Sequence, residues 1–299
     1  MTITKKPFQF AWKEKDTLLN NNALKNIELM KQIKLILLLL LVSTFAHSQE
    51  QPADTTETDA DKLAKQLANP IASLISVPFQ ANTDFGIGTA NGTRFTMNIQ
   101  PVIPVSISSD WNVIARVILP IISQTDVFGE SGNQTGLGDA VVSGFFSPKA
   151  PTSGGLIWGV GPVFLVPTGT DDLLGTGKFG VGPTAVALKQ IGKLTVGALV
   201  NHVWSVAGAS DRTDVNNTFF QPFVAKNFKG GYSVSLNTEL TQSWDYDATS
   251  GTINLVGAKV VKIGKQPAQL AVGPRIPYGN GNTADWGFRA QFVLMFPKG

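Results

Sequence analysis

Apolar and polar residues alternate at the end of the chain, between Phe288 and Phe296. Every second position is apolar: Phe288, Ala290, Phe292, Leu294 and Phe296, with Arg289, Gln291, Val293 and Met295 between them. A period of two is typical of a β-strand, because successive side chains of a strand point to opposite faces. The sequence therefore predicts a final strand with one apolar face, and something must cover that face.

Segments of similar β-type composition follow one another from about Ser73 to the end of the chain. We predict twelve strands, at 73–86, 93–107, 111–126, 139–148, 156–169, 178–190, 194–207, 217–228, 232–245, 252–263, 268–278 and 284–297. Several of them alternate cleanly; in the second, Arg94, Asn98 and Gln100 share one face. The fourth, fifth, sixth, eighth and tenth segments do not alternate clearly, and no facing is assigned to them.

The breaks between these segments differ in length at the two ends of the strands. Breaks after even-numbered segments are short, at 108–110, 191–193, 229–231 and 264–267, with 149–155 longer. Breaks after odd-numbered segments are longer on average, as at 127–138. Two ends that alternate in this way are typical of an up-and-down antiparallel meander.

Tryptophans avoid the centres of the predicted strands. Trp111 and Trp158 fall near the short-turn end, whereas Trp204, Trp244 and Trp286 fall near the long-loop end. Indole rings prefer a membrane–water interface, where the ring contacts apolar groups and the N–H stays hydrated. The five residues are therefore candidates for two interfacial aromatic belts.

Composition agrees with an all-β protein. The chain has 43% hydrophobic and 15% charged residues, with 30 glycines and no cysteine. The missing cysteines exclude a disulfide framework, a thiolate metal site and a cysteine-linked lipid.

The N-terminal part of the chain has the features of a secretory signal. Residues 30–48 contain two lysines, an apolar run from Leu35 to Val42 and the small-x-small site Ala46-His47-Ser48. The apolar run is shorter than the roughly 20 residues of a transmembrane helix. We interpret residues 1–29 as a leader or a mis-assigned start, with a long n-region as the alternative. Residues 49–72 are then a periplasmic N-terminal segment, partly disordered and partly helical, and 73–299 the barrel.

Removal of residues 1–48 changes the charge balance. The 24 basic and 21 acidic residues of the chain fall to 17 and 18. The basic character therefore belongs largely to the removed segment, and nucleic acid is not an expected partner.

These features predict an antiparallel up-and-down transmembrane β-barrel of about twelve strands in the outer membrane of a Gram-negative bacterium. A closed sheet pairs every backbone group within the hydrocarbon layer. A periplasmic β-sandwich, the alternative, would have shorter strands. Eight prolines inside the predicted strands are the main objection, because each removes a ladder donor. The repeats "GVGPVFLVP", "GVGPTAV" and "AVGPRIP" suggest that Gly-Pro kinks bend the wall.

Few residues are candidates for catalysis or cofactor binding. After the signal, His202 is the single histidine, and Ser205 stands three positions away on the opposite face of a strand. "GTGKFG" (175–180) leads into a strand and not into a helix, so it does not predict a nucleotide site. We predict no enzyme, no cofactor and no metal.

The inward polar face supplies the candidate functional residues. The lumen-lining candidates are Arg94, Asn98, Gln100, Asn112, Arg116, Asn237, Glu239, Arg275, Arg289 and Gln291. They either fill a self-paired interior or set the selectivity of a passage. A barrel of twelve strands lies between those filled by side chains and those with an open channel.

Several stretches together resemble a known family. They are "TGLGDAVVSGFFSP", "GVGPVFLVPTGTDDLLGTGKFGVGPTAVALKQIGKLTVGALVNHVWSVAG", "DRTDVNNTFFQPFVA" and "WGFRAQFVLMFPK". They are similar to the bacterial outer-membrane proteins linked to the meta-pathway of phenol degradation, often labelled "transporter" and sometimes misnamed neuromedin U. The resemblance covers about residues 68–298. It implies a barrel that takes up small molecules, aromatic or hydrophobic ones among them, without catalytic residues.

The sequence thus predicts a passive channel or transporter for small solutes. A non-conducting structural or binding barrel, plugged by the N-terminal segment, is the alternative, and an outer-membrane enzyme is the third. The expected partners are outer-membrane lipid, a small-molecule solute and the barrel insertion machinery. Lipid then covers the apolar face of the last strand, and that strand should pair with segment 73–86.

Overall fold

The computed structural model describes residues 57–281 and 284–297. The predicted leader and signal peptide, and the first residues of the N-terminal segment, lie outside this part of the chain. Within it no helix is long and apolar enough to span a membrane.

The described residues form one short helix and fourteen strands. The helix is α1 (Asp59–Leu67). The strands are β1 (Ile75–Ile87), β2 (Gly92–Ile99), β3 (Val102–Ser106), β4 (Trp111–Thr125), β5 (Asn133–Leu137), β6 (Ala140–Pro148), β7 (Leu156–Val166), β8 (Lys178–Ile191), β9 (Leu194–Gly208), β10 (Asn216–Phe228), β11 (Tyr232–Ser243), β12 (Ala248–Ile263), β13 (Gln266–Gly279) and β14 (Trp286–Phe296).

The fourteen strands make a closed antiparallel barrel of twelve barrel strands. β2 and β3 are two parts of one of them, interrupted at Gln100 and Pro101, and both pair with β4. β5 and β6 are likewise two parts of one, interrupted at Gly138 and Asp139. The prediction of an all-β barrel with twelve strands is confirmed.

The last strand closes the barrel against the first. β14 pairs with β1 from Phe296 opposite Ile75 to Trp286 opposite Phe85, without a break in register. This is the pairing that the sequence pattern required. The side chains of Phe288 and Phe296 point outward and are exposed, whereas Val293 and Met295 are buried inside.

Three predicted boundaries differ from the observed ones by three residues or more. Residues 133–137, assigned to the loop 127–138, form β5 and pair with β4. β12 begins at Ala248, four residues before the predicted start, because it pairs with the whole of β11 up to Ser243. β7 ends at Val166 instead of residue 169, where Thr168 turns towards the β6 backbone and its hydroxyl accepts the Ala140 N–H.

Three Gly-Pro pairs interrupt the ladder of hydrogen bonds without ending their strands. Backbone pairing with one neighbouring strand is missing at Gly161–Pro162, Gly182–Pro183 and Gly273–Pro274. A β-carbon on these glycines would stand 1.8, 1.7 and 1.9 Å from a carbonyl oxygen of the neighbouring strand. Proline removes the ladder N–H and glycine allows the neighbouring backbone to approach closely, so the two residues work as a pair.

Helix α1 lies at the short-turn end of the barrel. It begins at Asp59, where Thr58 and Asp61 form a capping box. Asp61 also accepts a hydrogen bond of 2.8 Å from the Gly231 N–H in the β10–β11 turn. On the other side, the Gln190 side chain donates to the carbonyl of Lys65 at 2.9 Å. The helix is therefore held to two turns of the barrel.

The apolar face of α1 packs on the inner wall. Ala64 is 1% exposed and lies in a cluster with Leu74, Val260, Val293 and Met295. Burial of this face stabilises the docked helix, because nine residues are too few for an isolated helix in water.

Candidate functional site

A cavity of about 570 Å³ occupies the lumen above α1. Its size lies within the range of small-molecule binding sites. The segment from Ala64 to Leu74 contributes its lining at the short-turn end, and strands from around the barrel form its walls. The cavity is the candidate functional site.

The walls of the cavity divide into a polar and an apolar sector. Strands β1, β2, β11 and β14, with the interruption after β2, contribute mainly polar side chains: Gln80, Asn98, Gln100, Asn237, Glu239, Arg289 and Gln291. Strands β6, β7, β9 and β10 contribute mainly apolar ones: Phe145, Leu165, Leu199, Val203, Phe219 and Phe223. An amphipathic lumen of this kind offers hydrogen bonds to one side of a solute and apolar surface to the other.

Arg275 and Arg289 form an ion cluster in the polar sector. Arg289 donates two hydrogen bonds to Glu239, at 3.0 and 2.9 Å. Arg275 donates to Asp84 at 3.0 Å and lies 3.6 Å from Glu239. Both guanidinium groups also donate to the Asn82 side chain, Arg289 at 2.8 Å and Arg275 at 3.0 Å. The paired geometry fixes the two arginines against the wall.

Asn254 completes this cluster. It is fully buried, and its side chain accepts a hydrogen bond of 3.2 Å from Arg275 while donating to Asn237 at 2.9 Å. Sequence analysis did not select Asn254, Asn82 or Asp84. The polar parity of β1 pointed to Asn82 and Asp84, but Asn254 lies in a segment whose facing the sequence did not settle.

Arg116 differs from these two arginines. Its guanidinium lines the cavity and donates a hydrogen bond of 3.0 Å to the neutral Gln100 side chain. Among the described residues, no carboxylate lies within ion-pair distance of it. It is thus a cation whose charge no neighbouring side chain neutralises directly.

The ten lumen candidates take different positions in the barrel. Seven of them line the cavity: Asn98, Gln100, Arg116, Asn237, Glu239, Arg289 and Gln291. Arg275 is buried in the ion cluster. Arg94 donates to Gln124 at 2.8 Å and lies over the Phe128 ring, nearer the long-loop end. Asn112 is buried and donates to Ser73 at 3.2 Å, below the cavity.

The apolar sector is the part of the site that sequence analysis missed. Phe145 and Phe219 lie on β6 and β10, which are apolar on both faces. Such strands show no alternation, so the sequence could not assign their inward residues.

Comparisons with known proteins support the fold. No protein-family model matches the chain, and no curated protein matches it. An outer membrane channel from Pseudomonas putida F1 is similar in structure, with a TM-score of 0.59 and 16% identity over 83% of this chain and 100% of that chain. At this identity the likeness concerns the fold, which is that of outer-membrane β-barrels.

Two further solved structures are less similar. The outer membrane phospholipase dimer with bound calcium from Salmonella typhi has a TM-score of 0.44 and 10% identity, over 81% of this chain and 99% of that chain. A porin has a TM-score of 0.35 and 10% identity, over 75% and 97%. These two similarities are too weak to carry an argument.

The outer surface of the barrel carries the tryptophans in two groups. Trp111 and Trp158 contact each other edge to face near the short-turn end, with 5.9 Å between ring centroids. Near the other end Trp204 lies against His202, the Trp244 indole donates to Thr218, and Trp286 stacks on Phe85. Trp204, Trp244 and Trp286 are about half exposed. The interfacial role of these five residues stays a prediction.

The loops at the long-loop end are held together by polar contacts. Asp139 accepts hydrogen bonds from the backbone N–H groups of Gly169 and Thr176 and from the Thr176 hydroxyl. Arg212 donates to the carbonyl oxygens of Asp172 and Gly175. These bonds join the β7–β8 loop to both of its neighbours.

An ion pair also anchors the β9–β10 loop. Lys178 lies 2.9 Å from Asp214, and the Ser205 hydroxyl donates to the same carboxylate at 3.1 Å. The hydrogen bond from Lys178, followed by that from Ser205, holds the pKa of Asp214 below its ordinary value. The ion pair therefore stabilises the loop at pH values above the ordinary carboxyl pKa, and this stabilisation is lost as the pH falls through the lowered pKa of Asp214.

His202 and Ser205, the two residues considered for catalysis, contact different partners. The His202 Nδ1 is 2.7 Å from the Thr218 hydroxyl, on the outward side, whereas Ser205 is bound to Asp214. No hydrogen bond joins His202 to Ser205 in the described part of the chain. No group of three or more acidic or histidine side chains there is placed to hold a metal ion. The prediction of no catalytic residue stays a prediction.

Proposed function

We propose that this chain is an outer-membrane channel or transporter for small molecules, aromatic or hydrophobic ones among them. The observation that carries the proposal is the amphipathic cavity of about 570 Å³ inside a closed barrel. Outward apolar residues such as Phe95, Val200 and Phe288 support a membrane location, because large exposed apolar surfaces are rare on soluble proteins. The resemblance to the phenol meta-pathway family belongs to the same proposal.

The export route and the partners are part of the proposal. A signal peptide at residues 30–48 would direct the chain across the inner membrane of a Gram-negative cell. The insertion machinery would then place the barrel among outer-membrane lipids. Cell fractionation with an electrophoretic test of heat-modifiability checks this step: the protein should run faster unheated than boiled, in the outer-membrane fraction.

A second candidate function rests on α1. Its contacts with Gly231 and Gln190 hold it inside the short-turn end, next to the cavity. This arrangement favours a plugged barrel that binds a solute without conducting it. The two candidates differ in whether solute passes α1.

Reconstitution into liposomes separates the two candidates. Liposomes that contain the purified protein should swell in iso-osmotic solutions of small aromatic solutes faster than protein-free liposomes. Swelling at the protein-free rate for every solute would contradict the channel. Saturable solute binding in the same preparation would then support the plugged barrel.

A further inference from the structure

The charges of the barrel interior are unbalanced. Four arginines, Arg94, Arg116, Arg275 and Arg289, occupy inward positions of the strands, against the two carboxylates Asp84 and Glu239. Both carboxylates are bound to Arg275 and Arg289. Among the described residues, Arg94 and Arg116 are therefore the inward arginines without an ion pair of their own.

Of these two, Arg116 is the one that faces the cavity. Arg94 lies outside the cavity lining, over the Phe128 ring. Arg116 keeps one hydrogen bond, to Gln100, which leaves several of its five N–H donors for a solute. A guanidinium with free donors binds a carboxylate strongly, since charge and fork geometry both match.

Arg116 also stands at the boundary of the two sectors. In the sheet it is opposite Val102 of β3 on one side and Ser143 of β6 on the other. On β6, the cavity is also lined by Val141, two residues before Ser143, and by Phe145, two residues after it. A group bound to Arg116 therefore has the apolar sector immediately beside it.

We propose that the cavity binds amphipathic monoanions, with the carboxylate on Arg116 and the apolar body against the partly exposed lining residues Val141, Phe219 and Phe223. This inference rests on the proposed function and specifies its substrate class. A neutral hydrophobic solute would leave the Arg116 donors without an acceptor, which disfavours it relative to an anion of the same shape.

Ligand binding to the full-length folded protein in detergent tests this assignment without requiring transport. Benzoate and octanoate are the anionic probes, and benzamide is the neutral counterpart of benzoate. Isothermal titration calorimetry should give saturable binding of at least one anion. Loss of a charged hydrogen-bond pair corresponds to roughly 10- to 100-fold in Kd, so benzamide and the Arg116→Gln variant should bind more weakly by that factor.

Arg94→Gln is the matched control. It removes an equal charge from the lumen but not from the cavity, and it should leave benzoate binding within about threefold because water in the lumen screens the charge. Arg116→Gln keeps a polar side chain at this position, and heat-modifiability checks that each variant is folded. Arg116→Lys, which keeps the charge but loses the fork, should fall between wild type and Arg116→Gln.

The result that would overturn the proposal is benzoate and octanoate binding unchanged in Arg116→Gln, or benzamide binding as tightly as benzoate. An equal loss in Arg94→Gln would also overturn it, because the effect would then come from the general field. Absence of saturable anion binding in a protein that still swells liposomes would contradict the anion site at Arg116 but not the channel. Anion binding that depends on Arg116, in a protein that does not swell liposomes, would support the anion site and contradict the channel.

Discussion

Glu239 is the carboxylate on which the inner ion cluster depends. It accepts two hydrogen bonds from Arg289 and lies 3.6 Å from Arg275. Its side chain is 23% exposed, and those of Arg289 and Arg275 are 4% and 8% exposed. Glu239→Gln keeps the shape and removes the charge, so two buried cations lose their shared anion.

The expected loss of stability follows from this geometry. Removal of one partner from a buried ion pair costs about 3–5 kcal/mol. Arg275 retains Asp84, and Arg289 retains Asn82. We therefore expect the free energy of unfolding to fall by about 3 kcal/mol, the lower end of that range.

Urea unfolding of the reconstituted barrel, followed by tryptophan fluorescence, measures this change. Glu130→Gln, the same substitution at an exposed loop position, is the control and should leave stability unchanged. In the double variant Glu239→Gln/Arg289→Gln, one unpaired cation is gone, and its loss should be smaller than the sum of the single losses by about 1 kcal/mol or more. Unchanged stability of Glu239→Gln would refute the reasoning, because the pair would then contribute nothing.

Three further predictions concern the wall, the helix and the membrane boundary. Gly161→Ala should lower the folded fraction on heat-modifiability gels, since its β-carbon would meet the Gly144 carbonyl, whereas Gly144→Ala, with open space around it, should not. The Gly231 N–H foremost lowers the pKa of Asp61, so docking of α1 gains stability above the ordinary value of 3.8 and loses it as pH falls through the lowered pKa. The hydrogen-exchange protection factors of α1, which correct for the pH dependence of intrinsic exchange, should fall in acid for wild type but vary little with pH in Asp61→Asn; equal profiles would refute the anchor. Single-tryptophan variants retaining Trp158 or Trp204 should be quenched more by lipids brominated near the headgroup than at the chain end, and the reverse would move them out of the belts.

The sequence predicted the strands well because most of them carry a clear polar parity. The alternation in β2, β11 and β14 comes from a wall whose outer face is apolar and whose inner face is polar. The turn lengths then supplied the antiparallel order. Closure between β1 and β14 followed from these two patterns.

The facing of β8 and of most strands of the apolar sector could not be predicted in this way. β6, β7, β8 and β10 have apolar residues on both faces, and a period of two disappears when both sides are apolar. Four of the five segments left unassigned are these strands. Their lack of alternation was itself the signal of an apolar inner wall.

Contacts between residues far apart in the chain could not be predicted from the sequence either. The parity of β1 placed Asn82 and Asp84 on the inner face, but their partners Arg275 and Arg289 lie about 190 to 210 positions away. Position along one strand does not give the height of a residue in the barrel, which depends on the register of every strand between. The pairing of the arginines, and the isolation of Arg116, therefore required the structure.

The measurement that tests the account most directly asks whether solute passes α1 through the lumen. The chain has no cysteine, so Ala60→Cys/Val260→Cys introduces one defined pair. These two β-carbons lie 2.9 and 3.0 Å from the point where a β-carbon on Gly231 would stand, so they are at most about 6 Å apart, and thiol titration checks that oxidation forms the disulfide that locks α1 to the wall. Each single-cysteine variant serves as the control.

Flux of benzoate into proteoliposomes should be high with the pair reduced and fall by about tenfold or more when it is oxidised, because the locked helix occupies the short-turn end. The single-cysteine variants should conduct equally in both states. Absence of flux in the reduced double variant and in wild type would contradict the channel and leave the plugged barrel. Equal flux in the oxidised and reduced double variant would contradict passage at α1.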